Sequence, residues 1–169
     1  MARLLGDTVP AWFATSYDYS HAEVREHRLA MVAEVAENYD FDGIELDWQR
    51  HAHHLPVAEA YRLRYVLTDF MAQAREICRA VGLKRGRPLW LASRVAASEE
   101  ACHHVGYDVH SWLDGALLDY LIPSACYEMD PGIDGAWWVA AAAAAPSPPR
   151  VYPSLGGVLP RAHANPCTV

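Results

Sequence analysis

Residues 39–51 read YDFDGIELDWQRH. Within this stretch the apolar run from Ile44 to Trp48 is interrupted at alternate positions by two carboxylates, Glu45 and Asp47. A charge inside a strand is costly unless it is paired, hydrogen-bonded or used in chemistry. Side chains alternate along a strand. One face therefore carries Ile44, Leu46 and Trp48, suited to packing against helices, and the other carries Gly43, Glu45 and Asp47. At a rise of about 3.3 Å per residue the two acidic Cα atoms lie roughly 6.6 Å apart. Like charges that close call for a cation between them, and Arg50 and Arg94 are the candidates.

Strand and helix alternate outward from this point. An aromatic-rich run over 11–17 predicts a first strand, ending at Asp18. Ser20-His21-Ala22-Glu23 fits a capping box, and Val24, Arg28, Met31, Val32 and Val35 continue it at helical spacing as far as Asn38. The second strand spans 41–48, and a long helix is expected over 57–81 with Gly82 ending it. A third strand is predicted over 88–95, where Leu89 and Leu91 face the helices and Trp90, Ala92 and Arg94 face the other way. Ser98 opens a short helix, and Asp108 caps another over 109–113. Residues 118–127 form the fourth strand. A helix over 137–145 is stopped by Pro146-Ser147-Pro148-Pro149, and 151–157 is a candidate fifth strand.

This alternation predicts an α/β fold with a parallel sheet. A doubly wound sheet would show a glycine-rich phosphate turn, and no GxGxxG or GxxxxGK[ST] occurs. A barrel instead places its working residues at the C-terminal ends of several strands. Asp18, Asp47 with Arg50 and His51, Arg94, and Tyr127 with Glu128 all fall there. The expectation is a TIM-type (β/α)8 barrel, present as a partial barrel of about five βα units in one domain over 1–169, because a complete one needs roughly 200–250 residues or more.

The totals narrow the function classes. The chain has 169 residues, 52% of them hydrophobic, which is enough for a real core. The balance of 14 basic against 21 acidic residues gives a net charge of −7, which speaks against a nucleic-acid partner. Lys and Arg form no run that would anchor the chain to a membrane. Cys78, Cys102, Cys126 and Cys167 form no CxxC pair and read as free thiols in a reducing compartment. The opening MARLLGDTVPAWFATSYDYS contains no signal-peptide run, so the cytoplasm is the default expectation.

FDGIELDWQRH resembles the DGI-x-LD-x-x-R-[HY] segment of bacterial glycoside-hydrolase-like (β/α)8 barrels, the family 10-like group of uncharacterised hydrolases. SHAEVREHRLAMVAEVAENYDFDGIELDW is similar to the helix-to-strand unit of that group. RGRPLWLASRVAASEEACHHVGYDVHSWLDGALLDYLIPSACY is similar to its next two units, with Arg94 in the usual Arg-Val position. The chain departs from the pattern at Trp48-Gln49, where Phe-Met is more usual. The resemblance implies an O-glycosidic hydrolase acting on a carbohydrate, with Asp47 catalytic and Glu45 beside or beneath it. Arg50, His51, Arg94, Tyr127, Glu128 and Asp18 would bind substrate, and neither metal nor cofactor is implied.

Plainer roles stand beside each of these. Glu45 and Arg94 can be a structural ion pair, and Asp18 a helix-entry residue. His51, His53 and His54 crowd one loop without HExxH or Cys/His ligand spacing, so solvated loop residues outweigh a metal site. Cys126 lacks an evident histidine partner and reads as core, and Trp137-Trp138 as anchors for their helix. The alternative function is a non-catalytic carbohydrate-binding domain or an inactive fragment of such a barrel. The sequence does not reveal an oligomeric state.

Overall fold

The computed structural model describes residues 3–49, 51–125 and 133–154. Within them the elements run α1 (Ala22–Asn38), β1 (Gly43–Asp47), α2 (Ala60–Arg85), β2 (Trp90–Ala96), α3 (Glu99–Val105), α4 (Val109–Asp114), β3 (Tyr120–Ser124), α5 (Gly135–Ala143) and β4 (Arg150–Val151). The four strands form one parallel sheet in the order β1-β2-β3-β4. Right-handed crossovers that step always in one direction set every connecting helix on the same side of a sheet.

Burial follows that geometry. Leu91, Ser93, Val95 and Leu121 are fully buried beneath the helices, while Ile44 and Leu46 pack against the same core. Trp48 continues that face and is 3% exposed. The opposite face carries Gly43, Glu45 and Asp47 of β1, Trp90, Ala92 and Arg94 of β2, and Tyr120 and Ile122 of β3, all exposed or half-buried. Only where this face reaches the strand tips, at Ala96 and Ser124, is it buried.

Four of the expected strands are present within the described residues, the last as only Arg150–Val151, while residues 126–127 and 155–157 of the expected strands lie outside them; two helix caps hold as well. Ser98 accepts from the Ala101 N–H at 3.2 Å, and Asp108 accepts from Ser111 at 3.2 Å. The expected first strand over 11–17 does not form. Phe13 N–H donates to Pro10 at 2.8 Å and Ser16 N–H to Phe13 at 2.8 Å, which winds this run into 3-10 turns. Its apolar side chains are spent locally, since Phe13 packs with Leu5, Val9 and Val57 in a small separate cluster. With that strand absent, the described residues hold four strands rather than about five.

Two helix boundaries also move. The capping box is pre-empted because Asp18 Oδ1 takes the Ser20 N–H at 2.9 Å. Helix α1 then begins at Ala22, and Glu23 turns to Arg3 instead. Helix α2 runs past Gly82 to Gly86, whose φ of +68° is a left-handed cap that favours glycine. Gly82 serves the returning chain: a Cβ there would sit 3.1 Å from the Arg87 carbonyl oxygen and the Leu89 nitrogen.

Candidate functional site

The open face of the sheet carries the charged cluster. In the β1–β2 register Asp47 lies opposite Arg94 and Glu45 opposite Ala92. Arg94 Nε donates to Glu45 Oε1 at 2.8 Å and stands 3.6 Å from Asp47 Oδ1. One guanidinium thus serves both carboxylates. Its Nη1 also donates to Ser154 Oγ at 2.9 Å, reaching past β3 to the segment after β4, which bridges Ser124. The side chains of Arg94, Glu45 and Asp47 are 26%, 37% and 42% exposed, so the cluster is open to a ligand from solvent. Asp47 Oδ1 further accepts the Gln49 N–H at 3.0 Å, which fixes the turn leaving β1.

That turn is held from below. The Tyr107 hydroxyl lies 2.9 Å from the Trp48 carbonyl and 2.6 Å from that of Ala52, and donates its proton between them. His54 Nε2 makes a 3.2 Å contact with the same Trp48 oxygen. Around these groups Tyr19, Trp48, Phe70, Tyr107 and Trp112 pack ring against ring. Burial pushes the Tyr107 hydroxyl well above the usual phenol range, and it pushes both His53 and His54 down to about 4. These histidines are neutral near pH 7.

Three of the expected site residues come together: Glu45, Asp47 and Arg94. His51 stands on the exposed loop after β1, its ring 6.2 Å from that of Phe13. Asp18 is buried at the entry to α1, with His21 Nε2 3.6 Å from its carboxylate. Arg50, Tyr127, Glu128 and Cys126 lie outside the described residues. Trp138 is buried and donates to the Ala97 carbonyl at 3.0 Å, as a helix anchor would. Among the described residues no group of three or more His, Cys, Asp or Glu side chains is arranged to hold a metal ion, and no helix is long and apolar enough to cross a membrane.

The sequence reading missed Ser154 and the two tyrosines that continue Trp90 into an aromatic row. Trp90 of β2, Tyr120 of β3 and Tyr152, the residue after β4, line up across the open face, with successive ring centroids 6.2 and 5.9 Å apart. The period-two pattern of β2 already points Trp90 that way. The alignment of Tyr120 and Tyr152 depends on strand register, which no local pattern encodes. The chain matches no protein-family model, and no curated protein matches it significantly.

Proposed function

We propose that the chain is part of a (β/α)8 barrel and acts as a glycoside hydrolase on the O-glycosidic bonds of a carbohydrate. The observation that carries this reading is the Glu45–Arg94–Asp47 cluster on the sheet face opposite the described helices, toward the C-terminal ends of parallel strands. That is where a barrel of this kind puts its chemistry. Glycosidic cleavage uses one carboxyl group to protonate the leaving oxygen and a second to attack or to activate water.

In this reading Asp47, at the last position of β1, meets the reacting carbon. Arg94 ties Glu45 and fixes the direction from which Asp47 approaches. The exposed faces of Trp90 and Tyr152, with the half-buried ring of Tyr120 between them, offer apolar surface to sugar rings.

A second reading, a carbohydrate-binding domain without catalysis, is favoured by one feature: both carboxylates share the same cation. One experiment separates the two. The purified chain is assayed for reducing-sugar release on a panel of polysaccharides and aryl glycosides, and for binding by affinity electrophoresis on the same polysaccharides. Turnover that Asp47→Asn abolishes while binding survives supports the hydrolase. Binding without turnover supports the second reading, and neither activity removes both.

A further inference from the structure

We propose that residues 4–17 form an acid-released lobe, held shut over the loop after β1 by the uncharged ring of His53. The proposal does not depend on the reaction assigned above. The lobe is built as a unit of its own. An antiparallel bridge between Leu4 and Tyr17 closes its base. Inside, the Leu5 N–H donates to the Ser16 carbonyl and that of Gly6 to Ala14, each at 3.0 Å. Leu5, Val9 and Phe13 make a small core, against which Val57 of the loop packs. The pivot below the bridge is firm. Arg25 donates to the Tyr19 and Ser20 carbonyls at 2.6 and 2.9 Å, and the Tyr19 N–H donates to His54 at 2.9 Å. A segment whose hydrogen bonds are largely internal can leave the body without opening the sheet.

The seal between lobe and body is aromatic. Phe13 is 1% exposed, and its ring lies 4.7 Å from that of His53 and 6.2 Å from that of His51. His53 is 6% exposed, and its Nδ1 is buried with no hydrogen-bond partner among the described residues. A charged imidazole carries a proton on both nitrogens. With the lobe shut, a proton on Nδ1 has no acceptor. The titratable groups that act on this ring are His104 of α3 and, on its own loop, His54, while the lobe offers it Phe13. None of these offsets a positive charge. The carboxylates at the pivot are engaged elsewhere: Asp18 holds the Ser20 N–H at 2.9 Å, and Glu23 the Arg3 side chain at 3.0 Å.

The adjacent His54 belongs to the main core instead, its ring 5.3 Å from Tyr19 and 4.9 Å from Trp48. His53 is therefore the histidine that the lobe governs. Burial, with the His104 charge beside it, holds His53 down to about 4 while the lobe is shut. Once released, the ring returns to an ordinary value of about 6.5. The open lobe then binds the extra proton between these values. Closure is complete above pH 6.5 and weakens as pH falls toward 4. Opening uncovers Leu5, Val9, Phe13 and Val57 and takes the Phe13 contact from the loop that follows Asp47.

The test is amide hydrogen exchange of the full chain from pH 7.5 to pH 5, corrected for the intrinsic effect of pH on exchange. Opening reported by the Leu5, Gly6 and Ser16 amides should become about 30-fold more frequent across this range, while the amides of β2 and β3 stay protected. His53→Phe should flatten the dependence. Phe13→Ala keeps the histidine and removes its cover, so the His53 ring resonances should titrate near 6.5 instead of about 4. Circular dichroism checks that each variant folds. The proposal is overturned if the lobe amides respond to acid equally in His53→Phe, or if β2 and β3 open to the same extent. It is also overturned if the His53 titration does not move in Phe13→Ala. No activity enters these measurements, so their failure would leave the hydrolase reading standing.

Discussion

Arg94 bonds to Glu45 at 2.8 Å, although its partner in the sheet register is Asp47, 3.6 Å away. The guanidinium leans back along the strand toward the deeper carboxylate. Asp47, the more exposed of the two, is left as the group a ligand meets first.

This division of labour predicts opposite phenotypes. Glu45→Gln removes the closer carboxylate from a partly buried guanidinium, so melting temperature should fall while Asp47 keeps its place. The pair is more than a third exposed on the Glu45 side, so solvent screening holds the loss to about 1 kcal/mol. Asp47→Asn should leave melting almost unchanged and remove any turnover. If Glu45→Gln abolishes single-turnover hydrolysis with no change in melting, Glu45 is the acid and not a structural counter-ion.

Asp119 is a stronger structural determinant than either. Its carboxylate pairs with Arg75 of α2 and accepts the Leu91 N–H at 2.8 Å, with both side chains mostly buried. Its backbone bonds to Leu91 and receives the Arg150 N–H, tying β2, β3 and β4 at their starts. Breaking such a buried pair costs about 3–5 kcal/mol. Asp119→Asn should therefore lower the midpoint of urea unfolding by a corresponding amount, and a midpoint within error of the parent would contradict this role.

Tyr107→Phe tests the support beneath the site. It deletes the hydroxyl that serves the Trp48 and Ala52 carbonyls but keeps the ring packing. The expected cost is about 1–3 kcal/mol for the donor lost at the Ala52 carbonyl, the Trp48 carbonyl keeping its His54 contact. Amide exchange should quicken in the turn after β1 and stay unchanged in β3.

Acid should destabilise the fold through two histidines. Burial, the main cause, holds His53 and His54 near a pKa of about 4 against about 6.5 in an unfolded chain. The unfolded state thus binds more protons between these values. Their contribution to stability is complete above pH 6.5 and is lost as pH falls toward 4. Each histidine gives a slope of at most about 1.4 kcal/mol per pH unit. Urea midpoints measured from neutral pH downward should show the decline, and His53→Phe, beside the Phe13 ring, should reduce it.

The sequence by itself determined the period-two alternation that sorts Ile44, Leu46 and Trp48 from Glu45 and Asp47. It also determined the Ser98 and Asp108 caps and the parallel α/β class. These are legible because each depends on residues within a turn or a strand of one another, where backbone geometry alone fixes which side chains share a face. Only the tertiary structure decided that residues 11–16 wind into turns and leave Tyr17 a single bridge to Leu4, because a strand needs a neighbour and Phe13 found its apolar contacts nearby. It alone fixed which carboxylate Arg94 bonds, brought Ser154 to it, set the Trp90–Tyr120–Tyr152 row and joined Asp119 to Arg75. Those contacts depend on strand register and on helices packing across 30 or more positions of chain, and no local pattern carries that information.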